Sequence, residues 1–184
     1  LERGVRRYRL EEGMLCAVVA ETVEVFRHSP EAQGFTIELT LPAPPLQARF
    51  DESAIRQAML NLLANAVRYA GTSEAARVIE VAVRREPNEA VLEVRDHGMG
   101  IAASEQRRIF TPFYRTPDVA AQTERGLGIG LAIVREIMQA HGGETSVESE
   151  LGAGATFRLR LPLVAEIESP TWQEVSAAPL SEQN

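Results

Sequence analysis

Cysteine is nearly missing from this chain: Cys16 is the only one among 184 residues. A lone cysteine cannot form an internal disulfide, which excludes a small disulfide-stapled scaffold and predicts a reducing, cytoplasmic setting. Cys16 falls on an apolar helical pattern and reads as a small buried hydrophobe. No apolar run approaches the ~20 residues that a membrane-spanning helix needs. No secretory leader is visible either, so no membrane contact by these residues is expected. The net charge of −7 argues against a general nucleic-acid partner, because phosphate backbones are held by clustered cations. It leaves room for a small polyanion in a local basic pocket. Internal repeats are absent, as are the P-loop lysine signature and the His-Arg-Asp and Asp-Phe-Gly sets of protein kinases. The first residue is Leu1 rather than methionine, which marks the chain as an expected fragment.

What is present suits one globular domain: 45% hydrophobic and 24% charged residues. From Leu10 to about Arg27 apolar positions recur at helical spacing, and Ser29-Pro30 stops that helix. Residues 35–41 alternate as a half-buried strand, followed by a loop through Pro42–Pro45. Asp51 is placed to cap a helix running to about Tyr69 and ended by Gly71. Strands are predicted at 78–84 and 90–95 around a Pro87-Asn88 turn, then a short helix near 103–109. The stretch 111–125 has little periodicity and is long for an idle loop, which suits a lid. A helix over 127–140 closes at His141-Gly142-Gly143, and strands at 145–150 and 155–161 complete the domain. Hairpin-linked strands with separate helices predict an α+β class: a two-layer α/β sandwich whose mixed, mostly antiparallel sheet carries helices on one face. The domain is expected over residues 11–163, after a linker end at 1–10 and before a disordered acidic tail at 164–184.

Two features carry chemistry. In the 51–69 helix, Gln57, Asn61 and Asn65 are spaced by four and Arg68 follows by three, so all four project from one face. Solvent exposure would explain one such asparagine. It explains two amides in phase with an arginine less well, and a site joining an amide oxygen, a metal ion and an anion explains them better. Mg²⁺ fits, because it takes oxygen ligands and often sits on substrate phosphates with few protein groups.

The second feature is glycine. A strand runs straight into Asp96-His-Gly98-Met-Gly100-Ile101, where a carboxylate at the strand end can accept a hydrogen bond from an exocyclic amine. Such a carboxylate favours adenine's amino group and is repelled by guanine's carbonyl oxygen. The two glycines are expected to permit positive φ and close backbone approach to a flat ligand. Gly98, Gly100 and Ala103 also match the dinucleotide fingerprint, with Asp118 at about the expected distance. That match is rejected: the next helix is short, Pro112 interrupts it and no second parallel strand leads to Asp118. A further cluster, Arg125-Gly126-Leu127-Gly128-Ile129-Gly130-Leu131, opens a helix, whose free N–H groups make an anion site. Gly152 and Gly154 form a third pair before Thr156.

In this order the residues resemble the N, G1, F, G2 and G3 boxes of the histidine-kinase catalytic domain, a GHKL ATPase with a Bergerat-type ATP-binding fold, over roughly residues 10–162. The resemblance implies ATP and Mg²⁺ as cofactors. Asn65 is then the Mg²⁺ ligand, Asn61 supports the metal–phosphate region, and Arg68 stands near phosphate. Tyr69 packs by the nucleotide, and Asp96, with Gly98, Gly100 and Ile101, reads adenine. Ile109-Phe110-Thr-Pro-Phe113-Tyr114-Arg115 resembles the base of a mobile lid, in which Arg115 and Arg125 offset phosphate charge. Gly126, Leu127, Gly128, Gly130 and Leu131 close over the phosphates, and Thr156 belongs to the last box. Departures are small: His97 stands where asparagine is common, Met99 replaces a residue often Pro or Lys-like, and Leu127 replaces a small polar residue.

The family's acceptor histidine lies in a His-Glu-x-x-Thr-Pro-like motif. His28, His97 and His141 sit in other contexts and read as structural. The implied partners are therefore a dimerisation and phosphoacceptor domain outside this chain and, indirectly, a response regulator. Two alternatives stay open: a nucleotide-binding sensory or interaction module without phosphotransfer, and an anti-sigma-type serine kinase or another ATPase of the superfamily.

Overall fold

The computed structural model describes residues 7–71, 74–116 and 127–163. In chain order the elements are β1 (Glu11–Met14), α1 (Leu15–Arg27), β2 (Thr36–Thr40), β3 (Gln47–Phe50), α2 (Glu52–Arg68), β4 (Val78–Arg85), β5 (Glu89–Asp96), α3 (Gly130–Ala140), β6 (Glu144–Glu150) and β7 (Gly154–Pro162). Five strands form one sheet in the order β2-β4-β5-β7-β6. Every pairing in it is antiparallel except β2 with β4. A parallel pair needs a long crossover, and the chain between β2 and β4 supplies one that contains α2.

Strand parity decides what faces the helices. On β5, Ala90, Leu92, Val94 and Asp96 share one face. On β7 the same face carries Ala155, Phe157, Leu159 and Leu161, all buried. Opposite them pack Val19 and Val23 of α1, Met59, Leu62 and Leu63 of α2, and Val134, Ile137 and Met138 of α3. Truncating one of the fully buried large side chains to alanine costs about 2–5 kcal/mol. The other sheet face is charged and paired: Glu93 lies between Arg84 at 2.9 Å and Arg158 at 2.7 Å, and Arg158 also meets Glu148 at 2.8 Å.

The sandwich and most element boundaries match expectation, with three differences. The helix expected from Leu10 begins at Leu15, because residues 11–14 instead pair antiparallel with 47–50 as a separate two-stranded sheet. Residues 103–110 are successive turns rather than a helix, with Glu105 N–H bonded to the Ala102 carbonyl and Arg108 N–H to that of Glu105. The last helix starts at Gly130 rather than Leu127, because Gly128 has φ +66°, outside the right-handed helical region. The expected lid lies partly, and the expected linker and tail lie largely, outside the described residues.

Asp51 caps α2 by accepting the Ala54 N–H at 3.0 Å, and also accepts the Arg9 N–H at 2.9 Å. Burial pushes its carboxyl up, but the Arg9, Ser53 and Ala54 donors outweigh that and bring its pKa down to about 2. The Asp51 N–H donates to His141 Nε2 at 2.9 Å, while His141 Nδ1–H donates to the Ile137 carbonyl at 2.6 Å. Buried His141 therefore joins the end of α3 to the start of α2. His97 bonds Glu80 at 2.7 Å, and His28 bonds the Glu24 carbonyl.

Candidate functional site

A cavity of about 490 Å³ opens between α2, the end of β5 and the start of α3, well within the usual range for small-molecule sites. Helical spacing turns Asn61, Asn65 and Arg68 to this side of α2, and all three line it, as does the capping residue Tyr69. Gln57, one turn earlier in the same stripe, does not. Among the described residues no hydrogen bond or ion pair engages the side chains of Asn65 and Arg68. Asn61 is committed: its amide donates to the Gly130 carbonyl at 3.3 Å and ties α2 to the first turn of α3.

Asp96 reaches the cavity because strand parity places it on the core face of β5. It is 6% exposed. Burial raises its pKa, and the backbone N–H groups of Gly98 and Ala155 partly offset this. One of those donors is fixed at 2.9 Å, from Gly98 N–H to Oδ1. A buried carboxylate with so few partners favours a ligand that brings a donor. Met99, Ile101 and Ile109 on one side and Ala155 and Phe157 on the sheet make the surrounding wall apolar.

The positive φ expected of the glycines is found at Gly100, which also lines the cavity, but not at Gly98. A Cβ at Gly98 would lie 2.2 Å from the Tyr69 carbonyl oxygen. Gly100 has φ +70°, and its Cβ would lie 1.9 Å from the Glu150 carbonyl oxygen. Their close approach is thus to the protein's own backbone, which seats the turn between the end of α2 and the β6–β7 hairpin. Met99 completes that seat, its N–H bonded to the Tyr69 carbonyl and its carbonyl to the Gly152 N–H.

The start of α3 forms the remaining wall. Leu127, Gly128, Gly130 and Leu131 line the cavity, and the helix N-cap residue Ile129 makes no side-chain capping bond. The first-turn N–H groups therefore have no side-chain cap. Tyr114, Arg115 and Thr116 also contribute. The Tyr114 hydroxyl bonds Glu105, and the Arg108 guanidinium lies 4.3 Å from the Tyr114 ring centroid.

Most expected site residues therefore converge. Gly98 supports the turn without lining the cavity. Thr156 is out of phase with Ala155 and Phe157 and pairs with Arg95 and Glu148, so its neighbours form the wall instead. Arg125 and Gly126, like Asp118, lie outside the described residues. Sequence reasoning missed Ala155 and Phe157, although their two-residue phase with Leu159 and Leu161 would have found them. It assigned no site role to Met99 or Ile133 and placed Ile109 and Tyr114 only at the expected lid base; all four line the cavity.

Known proteins resemble the chain in sequence and in fold. The family model described as histidine kinase-, DNA gyrase B-, and HSP90-like ATPase matches residues 50–165. The histidine protein kinase DivJ of Caulobacter vibrioides is 35% identical over 162 residues, which is 86% of this chain and 26% of DivJ. Among solved structures, the mycobacterial sensor histidine kinase MprB superposes with a TM-score of 0.71 at 26% identity, covering 84% of this chain and 98% of that one. Full-length ShkA in complex with AMPPNP gives 0.73 at 29% identity, covering 86% of this chain and 32% of ShkA. The chain thus spans about a quarter of the length of DivJ. With the family model covering more than half of the residues, the chain belongs to the family of histidine kinase-, DNA gyrase B-, and HSP90-like ATPases.

Proposed function

We propose that this domain binds ATP with Mg²⁺ and transfers the γ-phosphoryl group to a histidine on a dimerisation domain outside the chain. The observation that carries this reading is the convergence of Asp96, Asn65, Arg68 and the uncapped start of α3 on one cavity. Asp96 would accept a hydrogen bond from the adenine amino group, between apolar walls that exclude water. Arg68, Arg115 and the first N–H groups of α3 would hold phosphate oxygens. All 19 cationic residues of the chain are arginine, so phosphate would be met by forked donors rather than by a lysine point charge. No cluster of three His, Cys, Asp or Glu able to hold a metal occurs among the described residues. The donor set therefore suits a cation carried mainly by phosphate, with the Asn65 amide oxygen as the protein's ligand. Bound there, Mg²⁺ would neutralise charge on the phosphate oxygens.

In the transfer itself the acceptor imidazole nitrogen attacks the γ-phosphorus, an N–P bond forms as the P–O bond to ADP breaks, and the ADP oxygen takes the charge. The imidazole's proton passes to a base outside this chain. The domain's work is positioning and charge stabilisation. The chain's own three histidines are engaged at Glu24, Glu80, and Asp51 with Ile137, which supports an acceptor supplied from elsewhere.

The test is calorimetric titration of ADP and GDP with Mg²⁺ into the chain and its Asn65→Ala variant, followed by labelled ATP with a histidine-bearing dimerisation domain. Binding of ADP but not GDP, weakened at least ~10-fold by the substitution, with label passing to the histidine, is the expected result. Binding without transfer would favour the sensory-module reading instead.

A further inference from the structure

We propose that Gln106 is a positioning residue for base recognition: with Ser149 it holds the Gly100–Ile101 wall of the cavity in register with Asp96. The inference rests on the nucleotide reading above and adds a specificity role for two side chains that do not line the cavity.

Both backbone polar groups of Ile101 are held by side chains. Its N–H donates to Ser149 Oγ at 2.8 Å, and its carbonyl accepts from Gln106 Nε2 at 3.1 Å. The same Gln106 nitrogen donates to the Ser149 carbonyl at 2.8 Å. Ser149 Oγ–H in turn donates to the Gly154 carbonyl at 2.6 Å. The next residue, Ala155, pairs with Asp96 across β5 and β7. Ile101 is thereby located relative to Asp96 through the β6–β7 hairpin, by ties that do not depend on the turn between them.

The chemistry selects the residue type. Two carbonyl oxygens, from residues 101 and 149, converge on one spot, and a primary amide supplies two N–H donors there without a charge. A glutamate would set a carboxylate against both oxygens. The Ser149 hydroxyl cannot replace the amide, because its single proton is spent on Gly154. The neighbours of Gln106 in the same run of turns hold a different part of the cavity: Glu105 and Arg108 fix Tyr114 at the lid base. One short segment therefore supports the base wall through Gln106 and the lid base through Glu105 and Arg108.

The test uses Gln106→Met, of similar length without donors, and Ser149→Ala, which removes the other tie. Affinities for ADP, GDP and tripolyphosphate, each with Mg²⁺, are measured by calorimetry on variants whose circular dichroism matches the wild type. Each variant is expected to bind ADP about tenfold more weakly with a narrowed preference over GDP, while tripolyphosphate affinity stays unchanged. ADP and tripolyphosphate affinities falling together would show a general structural role and overturn the proposal. Unchanged ADP affinity, or loss of the fold in both variants, would overturn it too. A wild type without any preference for ADP would instead bring down the nucleotide reading, a result separable from all of these.

Discussion

The turn that ends β5 and the turn that opens α3 are both glycine-rich, yet they are built in opposite ways. Around residues 96–101 the backbone is tied in three directions: inward to Asp96 Oδ1, back to the Tyr69 carbonyl and across to Gly152 and Ser149. Around residues 127–130 the ties from outside α3 among the described residues are Phe113 N–H to the Gly128 carbonyl and Asn61 to the Gly130 carbonyl, besides the helical bond from Ile133 N–H to the Ile129 carbonyl. Leu127 is 77% exposed there and Phe113 74%, the latter at φ +64°. Order at the first turn is thus part of folding. At the second turn, the N-cap residue Ile129 gives the first-turn N–H groups of α3 no side-chain cap. The first turn carries a desolvated carboxylate, Asp96, as part of the fold, whereas the second holds no buried charge.

The comparison can be broken most severely at Gly100. Gly100→Ala adds a Cβ 1.9 Å from the Glu150 carbonyl at a positive φ, so a loss of more than about 3 kcal/mol is expected. Chemical denaturation would reveal it, and a variant as stable as wild type would show that the turn is not rigid.

Asp96→Asn sharpens the comparison and has a smaller effect. The folded pKa of Asp96 is raised, so the stability linked to its proton is present at low pH and lost as pH rises through that value. At neutral pH the ionised group opposes folding, and Asn removes that opposition. Thermal melts are expected to show Asp96→Asn at least as stable as wild type at pH 7, with the advantage shrinking toward pH 4. ADP binding should weaken ~10- to 100-fold at the same time. A variant clearly less stable than wild type at pH 7 would contradict a site built at the expense of stability.

Leu127→Ala is the mildest test. The side chain is mostly exposed, so its removal should change stability by no more than about 0.5 kcal/mol. A larger loss in denaturation would mean that the second turn is as firmly built as the first.

Much of the site was legible in the sequence because its signals are local. The spacing of Asn61, Asn65 and Arg68 is a helical period, and Asp96 is the last residue in phase with Ala90, Leu92 and Val94. Where local pattern misled, a distant partner had intervened. Residues 11–14 continue the apolar period of α1, yet they pair with β3 some 35 residues on. Thr156 sits within a recognisable motif, but register with Arg95 and Glu148 turns it away from the cavity.

By itself the sequence determined the element types, the sandwich class, the cap at Asp51 and the residues that an adenine nucleotide would require, because periodicity and caps depend on neighbours within a turn or two. Tertiary structure alone decided which carbonyl each glycine must avoid, that Asn61 would be spent on Gly130, and that Gln106 and Ser149 would grip Ile101. Those pairs lie 69 residues apart for Asn61 and 48 for Ser149. Whether they meet is set by strand order and register, which come from the packing of the whole sheet against its helices rather than from any local pattern.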